Sequence, residues 1–230
     1  MILFVLHCEM IIQRRFDYKP LERIDTPNGR RYIVGENQLL PSVTTILGQT
    51  KDMTGINEWR EAVGEEKANK IVTEASFLGN SMHKNLENYI LGKPMSGSFM
   101  AKTLANLIIK KAFPKVNEIW GTEVSLYCKN LYAGTTDLTG LHDNIPSIMD
   151  FKNSLRHKEK EWIEDYFMQL GAYAIAHNEM YGTDIHRGVV MIATRDVKYQ
   201  EFIIEGAEFI KYETMWAEKL CVYYDKYGNS

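Results

Sequence analysis

The chain reads as an α/β domain in which helices flank a mixed central β-sheet, with a helical N-terminal portion. Three observations predict this. Helical periodicity prevails from about residue 55 to 113. The apolar period then falls to two over three short stretches between residues 123 and 152. One long helical stretch, about 162–181, separates those strands from a final strand pair, as a crossover in a mixed sheet requires. At 230 residues a single domain is expected. It divides into a hairpin and helical part to about residue 120, a sheet with its crossover helix over about 121–205, and a closing helix over 206–230.

Taken in order, "YKPLERIDTPNGRRYIVG" predicts a hairpin, because Pro27, Asn28 and Gly29 supply the turn between strand-like runs. In "LPSVTTILGQT", Ser42 caps a short helix that turns Val43, Ile46 and Leu47 inward. The stretch from Ile56 to Gly92 is mostly helical, with a break expected at Gly79-Asn80 and a stop at Gly92. "SFMAKTLANLIIKKAFPKV" is a further helix, ended near Pro114. "TEVSLYC" alternates Val124, Leu126 and Cys128 against Glu123, Ser125 and Tyr127, which is a strand period. "YAGTTDLTGLH" and "SIMDFK" are two more strands, "RGVVMIAT" and "YQEFII" a final pair. The closing helix holds Phe209, Tyr212, Trp216 and Leu220.

Composition is that of an ordinary soluble globular chain, with 45% hydrophobic and 25% charged residues. A net charge of -3 gives no bulk signal for nucleic acid, so any basic surface must be local. Cys8, Cys128 and Cys221 lie far apart, without a C-x-x-C, and are expected as buried fillers in a reduced intracellular setting. Three thiols cannot supply the four ligands of an iron–sulfur cluster. "MILFVLHCEMII" is interrupted by His7 and Glu9 and has no basic leader region. It is expected to be neither a signal peptide nor a membrane span. His7, His142, His157, His177 and His186 show no metal-ligand spacing and are expected to be structural or surface residues.

"NIPSIMDFKNS" places a carboxylate and an ammonium at the end of an apolar strand. Residues i and i+2 share a side of a strand, so Asp150 and Lys152 project together while Phe151 enters the opposite layer. Such a pair could be a solvated salt bridge. Asp137, in the preceding strand, can meet Asp150 at one sheet edge, and the small residues of "AGTTDL" leave room for a ligand. Two close carboxylates need a cation between them, and hard oxygen ligands beside a lysine suit Mg²⁺ or Mn²⁺. Glu123 could add a third acid. "GNSMHKNLENY" has the form of a helix start on which His83 and Glu87 share a face. Trp162, Tyr166, Gln169 and Tyr173 form a polar-aromatic stripe beside the apolar stripe Ile163, Phe167, Leu170 and Ala174.

The order His83, Glu123, Asp137, Asp150-Phe151-Lys152, Gln169, Tyr173 resembles the PD-(D/E)xK nuclease superfamily, in particular its RecB-like branch. "GNSMH", "AGTTDL", "IMDFKNS" and "QLGAY" are similar to that branch's histidine helix, first acid, acid-x-lysine strand and Q-x-x-x-Y helix. "LLPSVTTIL" with "GNSMHKNLENY" is most similar to the mitochondrial genome maintenance exonucleases and their phage relatives. The resemblance spans roughly residues 39–175. It implies a restriction-endonuclease-like fold and a Mg²⁺-dependent deoxyribonuclease, with Mn²⁺ expected to substitute and without an iron–sulfur cluster, that cuts DNA from free ends, expected to be those of single strands. It further implies that Asp137, Asp150, the Phe151 carbonyl and either His83 or Glu123 hold the metal. Lys152 would orient or deprotonate the attacking water. Gln169, Tyr173, Tyr166, Trp162 and Ser154 would contact substrate. Trp59 and Trp120 are further stacking candidates, and Lys110, Lys111, Lys115, Arg156, His157, Lys158 and Lys160 are candidate phosphate contacts or solvated faces. A role in DNA replication, recombination or repair, in the cytoplasm, follows from the same resemblance. A structure-specific endonuclease and a non-catalytic DNA-binding protein stay open as alternatives.

Overall fold

A computed structural model describes residues 11–36 and 38–228. A small antiparallel sheet comes first: β2 (Glu22–Thr26), β3 (Gly29–Val34) and β4 (Gln38–Pro41), preceded by the two-residue strand β1 (Ile11–Ile12). The "TPNG" turn joins β2 to β3 as expected, and β4 adds a third strand to the hairpin. Ser42 then caps α1 (Val43–Gln49), its hydroxyl accepting the Thr45 N–H at 3.0 Å, and Val43, Ile46 and Leu47 are buried.

Next come α2 (Thr54–Val63), α3 (Glu65–Ile90) and α4 (Phe99–Lys111). The expected break at Gly79-Asn80 does not occur, so "GNSMH" lies inside a helix and does not start one. The chain breaks instead at Gly64, which takes a φ of 83°. Gly79 is where α3 crosses the central sheet: a Cβ there would lie 3.1 Å from Asn153 Nδ2, while that amide donates to the Ala75 carbonyl at 3.2 Å. Close packing outweighs the propensity cost of about 1 kcal/mol for a mid-helix glycine.

The main sheet is built from β5 (Val116–Cys128), β6 (Tyr132–His142), β7 (Ile145–Ser154), β8 (Arg187–Thr194) and β9 (Tyr199–Glu205). Its strand order is β1-β5-β6-β7-β8-β9, parallel at β1–β5 and β7–β8 and antiparallel elsewhere. β5 starts at Val116, earlier than the period of "TEVSLYC" indicates, because two bulges in its pairing with β6 hide the alternation. The crossover is α5 (Glu164–Tyr181), and α6 (Gly206–Tyr227) closes the chain.

Each face of the sheet has its own core. Ile163, Phe167, Leu170 and Ala174 of the α5 segment pack with α1 and α6 residues, including Phe209 and Trp216, on one face. Met82, Leu86, Leu104 and Ile108 of α3 and α4 pack with Phe151 and Met191 on the other. The result is the expected mixed sheet between helical layers, consistent with a restriction-endonuclease-like arrangement. Trp120 is buried and donates to Glu118 at 2.8 Å, so it is a core residue and no stacking platform. Cys128 is buried as expected, whereas Cys221 is exposed on α6, contrary to expectation. Residues 1–10, with His7, Cys8, Glu9 and all of the apolar N-terminal run but Ile11–Ile12, lie outside the described residues. Among the described residues no helix is long and apolar enough to cross a membrane.

Candidate active site

The ladder between β6 and β7 ends at the pair Leu138–Met149. One residue further on each strand stand Asp137 and Asp150. The two acids therefore meet at a fork between central strands, not at a sheet edge as expected. β7 continues beyond the fork along β8 to Ser154, which holds Lys152 in register with Ile192.

Asp137 bridges the fork. Its Oδ2 accepts the Phe151 N–H at 2.7 Å, and its Oδ1 lies 3.2 Å from His83 Nδ1 on α3. Burial would raise its pKa, but the charge and hydrogen bond of His83, with Lys152 and the Phe151 N–H, hold it below the ordinary value. His83 is shifted the other way: burial opposes its charge, and the Asp137 carboxylate outweighs burial and raises its pKa. Glu123 reaches in from β5. It stands at a φ of 51°, an unusual conformation for a non-glycine residue, of the kind that clusters at functional sites. It is exposed at the cavity mouth, yet the protein crowded around its carboxyl, and next the Asp137 charge, push its pKa up to about 7. Ligand atoms of His83, Glu123 and Asp137 all lie within 4.8 Å of one another.

Asp150 is buried, and burial pushes its pKa up to about 6 against the pull of Lys152. Its Oδ2 is 2.6 Å from Lys152 Nζ, but no well-angled hydrogen bond reaches that oxygen among the described residues. Lys152 Nζ also donates to Gln169 Oε1 at 3.3 Å and sits 5.0 Å from the Tyr166 ring centre. Gln169 Nε2 in turn donates to the Tyr173 hydroxyl at 3.3 Å. Burial opposes the Lys152 charge, but Asp150 and then Asp137 raise its pKa, so the amine stays an ammonium.

These groups line one cavity of about 400 Å³. His83, Glu123, Asp137, Asp150, Lys152, Gln169 and Tyr173 are all on its wall. Tyr166 faces an adjoining groove that shares Lys152, Gln169 and Thr44 with the cavity. Trp162 and Ser154 are not brought in. Trp162 is exposed in the 3-10 turn Lys160–Ile163, and the Ser154 hydroxyl donates to the Arg156 carbonyl at 2.7 Å. Both border a separate groove with Arg156, His157 and Lys158. Lys110, Lys111 and Lys115 are exposed away from the cavity, Lys115 paired with Glu201 at 2.6 Å and Lys160 with Glu208 at 2.7 Å. Trp59 is on α2 and does not line the cavity either.

Arg23, Arg30 and Tyr32 of the small sheet also line the cavity. They carry no motif and were missed in the sequence; only the alternation of Arg30 and Tyr32 along one strand hints that they share a face. Gly134 of "AGTTDL" lines the cavity, as the small residues there led one to expect, and it has a second task. A Cβ there would lie 2.7 Å from the Tyr173 ring, so its small size seats Tyr173.

The donor set fits a hard divalent cation. Two carboxylates and an imidazole converge, a third buried carboxylate with an under-bonded oxygen stands beside them, and burial, with the Asp137 charge as a smaller cause, raises the pKa values of Glu123 and Asp150. No protein-family model matches the chain, and no curated protein matches it. Among solved structures, SSO0001 aligns with a TM-score of 0.43 at 16% identity, over 79% of this chain and 74% of that one. A protein from Eubacterium rectale, provisionally described as an exonuclease, aligns with a TM-score of 0.45 at 13% identity. That alignment covers 64% of this chain and 63% of the other. The functional reading rests on the cavity itself.

Proposed function

We propose that the chain is a Mg²⁺-dependent deoxyribonuclease of the RecB-like kind, with Mn²⁺ able to substitute, that hydrolyses phosphodiester bonds from free ends of single-stranded DNA. The observation that carries this is the convergence of His83, Glu123 and Asp137 beside the Asp150–Lys152 pair in one cavity. His83, Glu123, Asp137 and Asp150 are the residues that would hold the ion. When bound, such an ion supplies positive charge toward a scissile phosphate and acidifies a water it holds.

The chain's own groups do the rest. Lys152, kept protonated by Asp150 and Asp137, presents an ammonium that stabilises negative charge developing on the phosphoryl oxygens. In this reading its role is electrostatic. Gln169 fixes the lysine from the far side and is itself fixed by Tyr173. The Tyr166 ring centre lies 5.0 Å from the ammonium and offers it a cation–π contact. Residues of α3 and of the small sheet both wall the cavity, which favours a strand that enters by an end.

End-labelled linear and closed circular single-stranded DNA, each incubated with Mg²⁺, test the proposal. Loss of the linear strand with survival of the circle is expected. Nicking of the circle would move the assignment to an endonuclease, and no cleavage of either with Mg²⁺ or Mn²⁺ would overturn it.

A further inference from the structure

We propose that the face of the small sheet bearing Arg23 and Arg30 is a phosphate-binding wall that grips the nucleic-acid backbone beside the bond to be cut; the inference rests on the nuclease reading above. Register puts the two arginines on one face. Arg23 pairs with Tyr32 across β2 and β3, and Asp25 with Arg30, so Arg23, Arg30 and Tyr32 project to the same side. That side lines the same cavity as Asp137 and Asp150. A hairpin that served only solubility would have no need to aim two guanidinium groups at an acidic site.

The wall is rigid where it matters. The Arg30 N–H donates to Thr45 Oγ1 at 2.9 Å, and the Arg30 carbonyl accepts from the Ser42 N–H at 2.9 Å and from Thr45 Oγ1 at 3.1 Å. Gly29, at a φ of 98°, permits this seat, since a Cβ would fall 2.5 Å from Thr45 Cγ2. The Tyr32 hydroxyl is 3.1 Å from Thr135 Oγ1, which fastens the wall to β6, the strand that carries Asp137. The arginines thus stand at a fixed offset from the acids.

Charge completes the case. Asp137, Asp150, Glu123 and Glu87 in the same cavity repel a polyanion. Arg23 has no ion pair among the described residues. Arg30 lies 3.4 Å from Asp25 with both side chains open to solvent, a contact weak enough for a phosphate to replace. Guanidinium groups suit this task because their planar fork meets two phosphate oxygens at once.

The test is binding of a fluorescent single-stranded oligonucleotide in EDTA over a series of NaCl concentrations. Wild type, Arg23→Ala, the double Arg23→Ala/Arg30→Ala variant and the double lysine variant are compared, with thermal melting of each. Each lost phosphate contact should flatten the plot of log affinity against log salt by about 0.7. The double alanine variant should bind about tenfold more weakly at low salt. The lysine variant should recover the slope but not the full affinity. If the double alanine variant melts early, the exposed Arg23→Ala change alone reports a slope flatter by about 0.7. Wild-type slope and affinity in the alanine variants would overturn the proposal. A wild type that binds the strand but does not cut it in Mg²⁺ would overturn catalysis alone, with the slopes still reporting on the arginines. A wild type that does not bind at all would overturn both.

Discussion

Asp137 on β6 accepts the backbone N–H of Phe151 on β7, 2.7 Å away, just beyond the last rung of the ladder between those strands. The carboxylate takes the place of a backbone acceptor and closes the fork. Its second oxygen faces His83, so one side chain ties β6, β7 and α3 together. Charge and shape can be separated here. Asp137→Asn keeps an acceptor for Phe151 but loses the negative charge. Calorimetric titration with Mn²⁺ should show binding abolished or weakened at least tenfold, while the melting temperature changes little. Undiminished Mn²⁺ binding would remove Asp137 from the donor set. Cleavage by wild type should likewise stop in excess EDTA, and Ca²⁺ should bind without supporting it, its looser coordination placing water poorly.

Lys152 separates a working site from an ornamental ion pair. In Lys152→Ala the buried Asp150 loses its counter-charge, which should lower stability by about 1–3 kcal/mol, limited by neutralisation of a carboxyl already pushed up to about 6. Single-turnover cleavage should fall on the order of 10²-fold or more, as when a positioned transition-state charge is lost. A variant that cleaves like wild type would refute the electrostatic role.

Gly134 and Tyr173 are sterically coupled. Gly134→Ala should push the Tyr173 ring aside, cost about 1–3 kcal/mol, and loosen the Gln169–Lys152 contact. Combining it with Tyr173→Val, which vacates the space, should recover much of the loss in melting temperature. Purely additive effects in that double-mutant cycle would show that the contact is not the cause.

His177 sets an acid limit on stability away from the cavity. It is buried against Tyr18, Phe16 and Trp120, with 2.8 Å contacts from its ring nitrogens to the Tyr18 hydroxyl and Thr183 Oγ1. Burial pushes its pKa down to about 4. The unfolded chain, with an ordinary value near 6.5, then binds the extra proton over the window from 6.5 to 4. The contribution is complete above pH 6.5 and is lost as pH falls toward 4, by at most about 3 kcal/mol. Melting curves of wild type and His177→Gln across this window should differ in slope, the variant being less sensitive to acid. Parallel curves would count against it.

Much of the fold was legible because its signals are local. The "TPNG" turn, the Ser42 cap, the strand periods around Asp137 and Asp150, and the apolar stripe of α5 each depend on a few neighbouring residues. The i, i+2 spacing of Asp150 and Lys152 put them on one side of a strand wherever that strand lay. What was misjudged depends on distant partners. Gly79 looked like a helix break because its packing against Asn153, far along the chain, is invisible locally. Trp120 and Trp162 were equally plausible stacking residues until packing buried one and exposed the other.

The sequence by itself determined the strand and helix periods and the acid-x-lysine strand end. Only the tertiary structure decided that Asp137 and Asp150 meet at a fork between central strands, that Glu123 joins His83 and Asp137, and that Arg23 and Arg30 line the cavity with the acids. Periodicity states which side of an element a residue occupies, but not what that side will meet. The meeting is set by long-range strand pairing and close packing, whose energies belong to residues far apart in the chain.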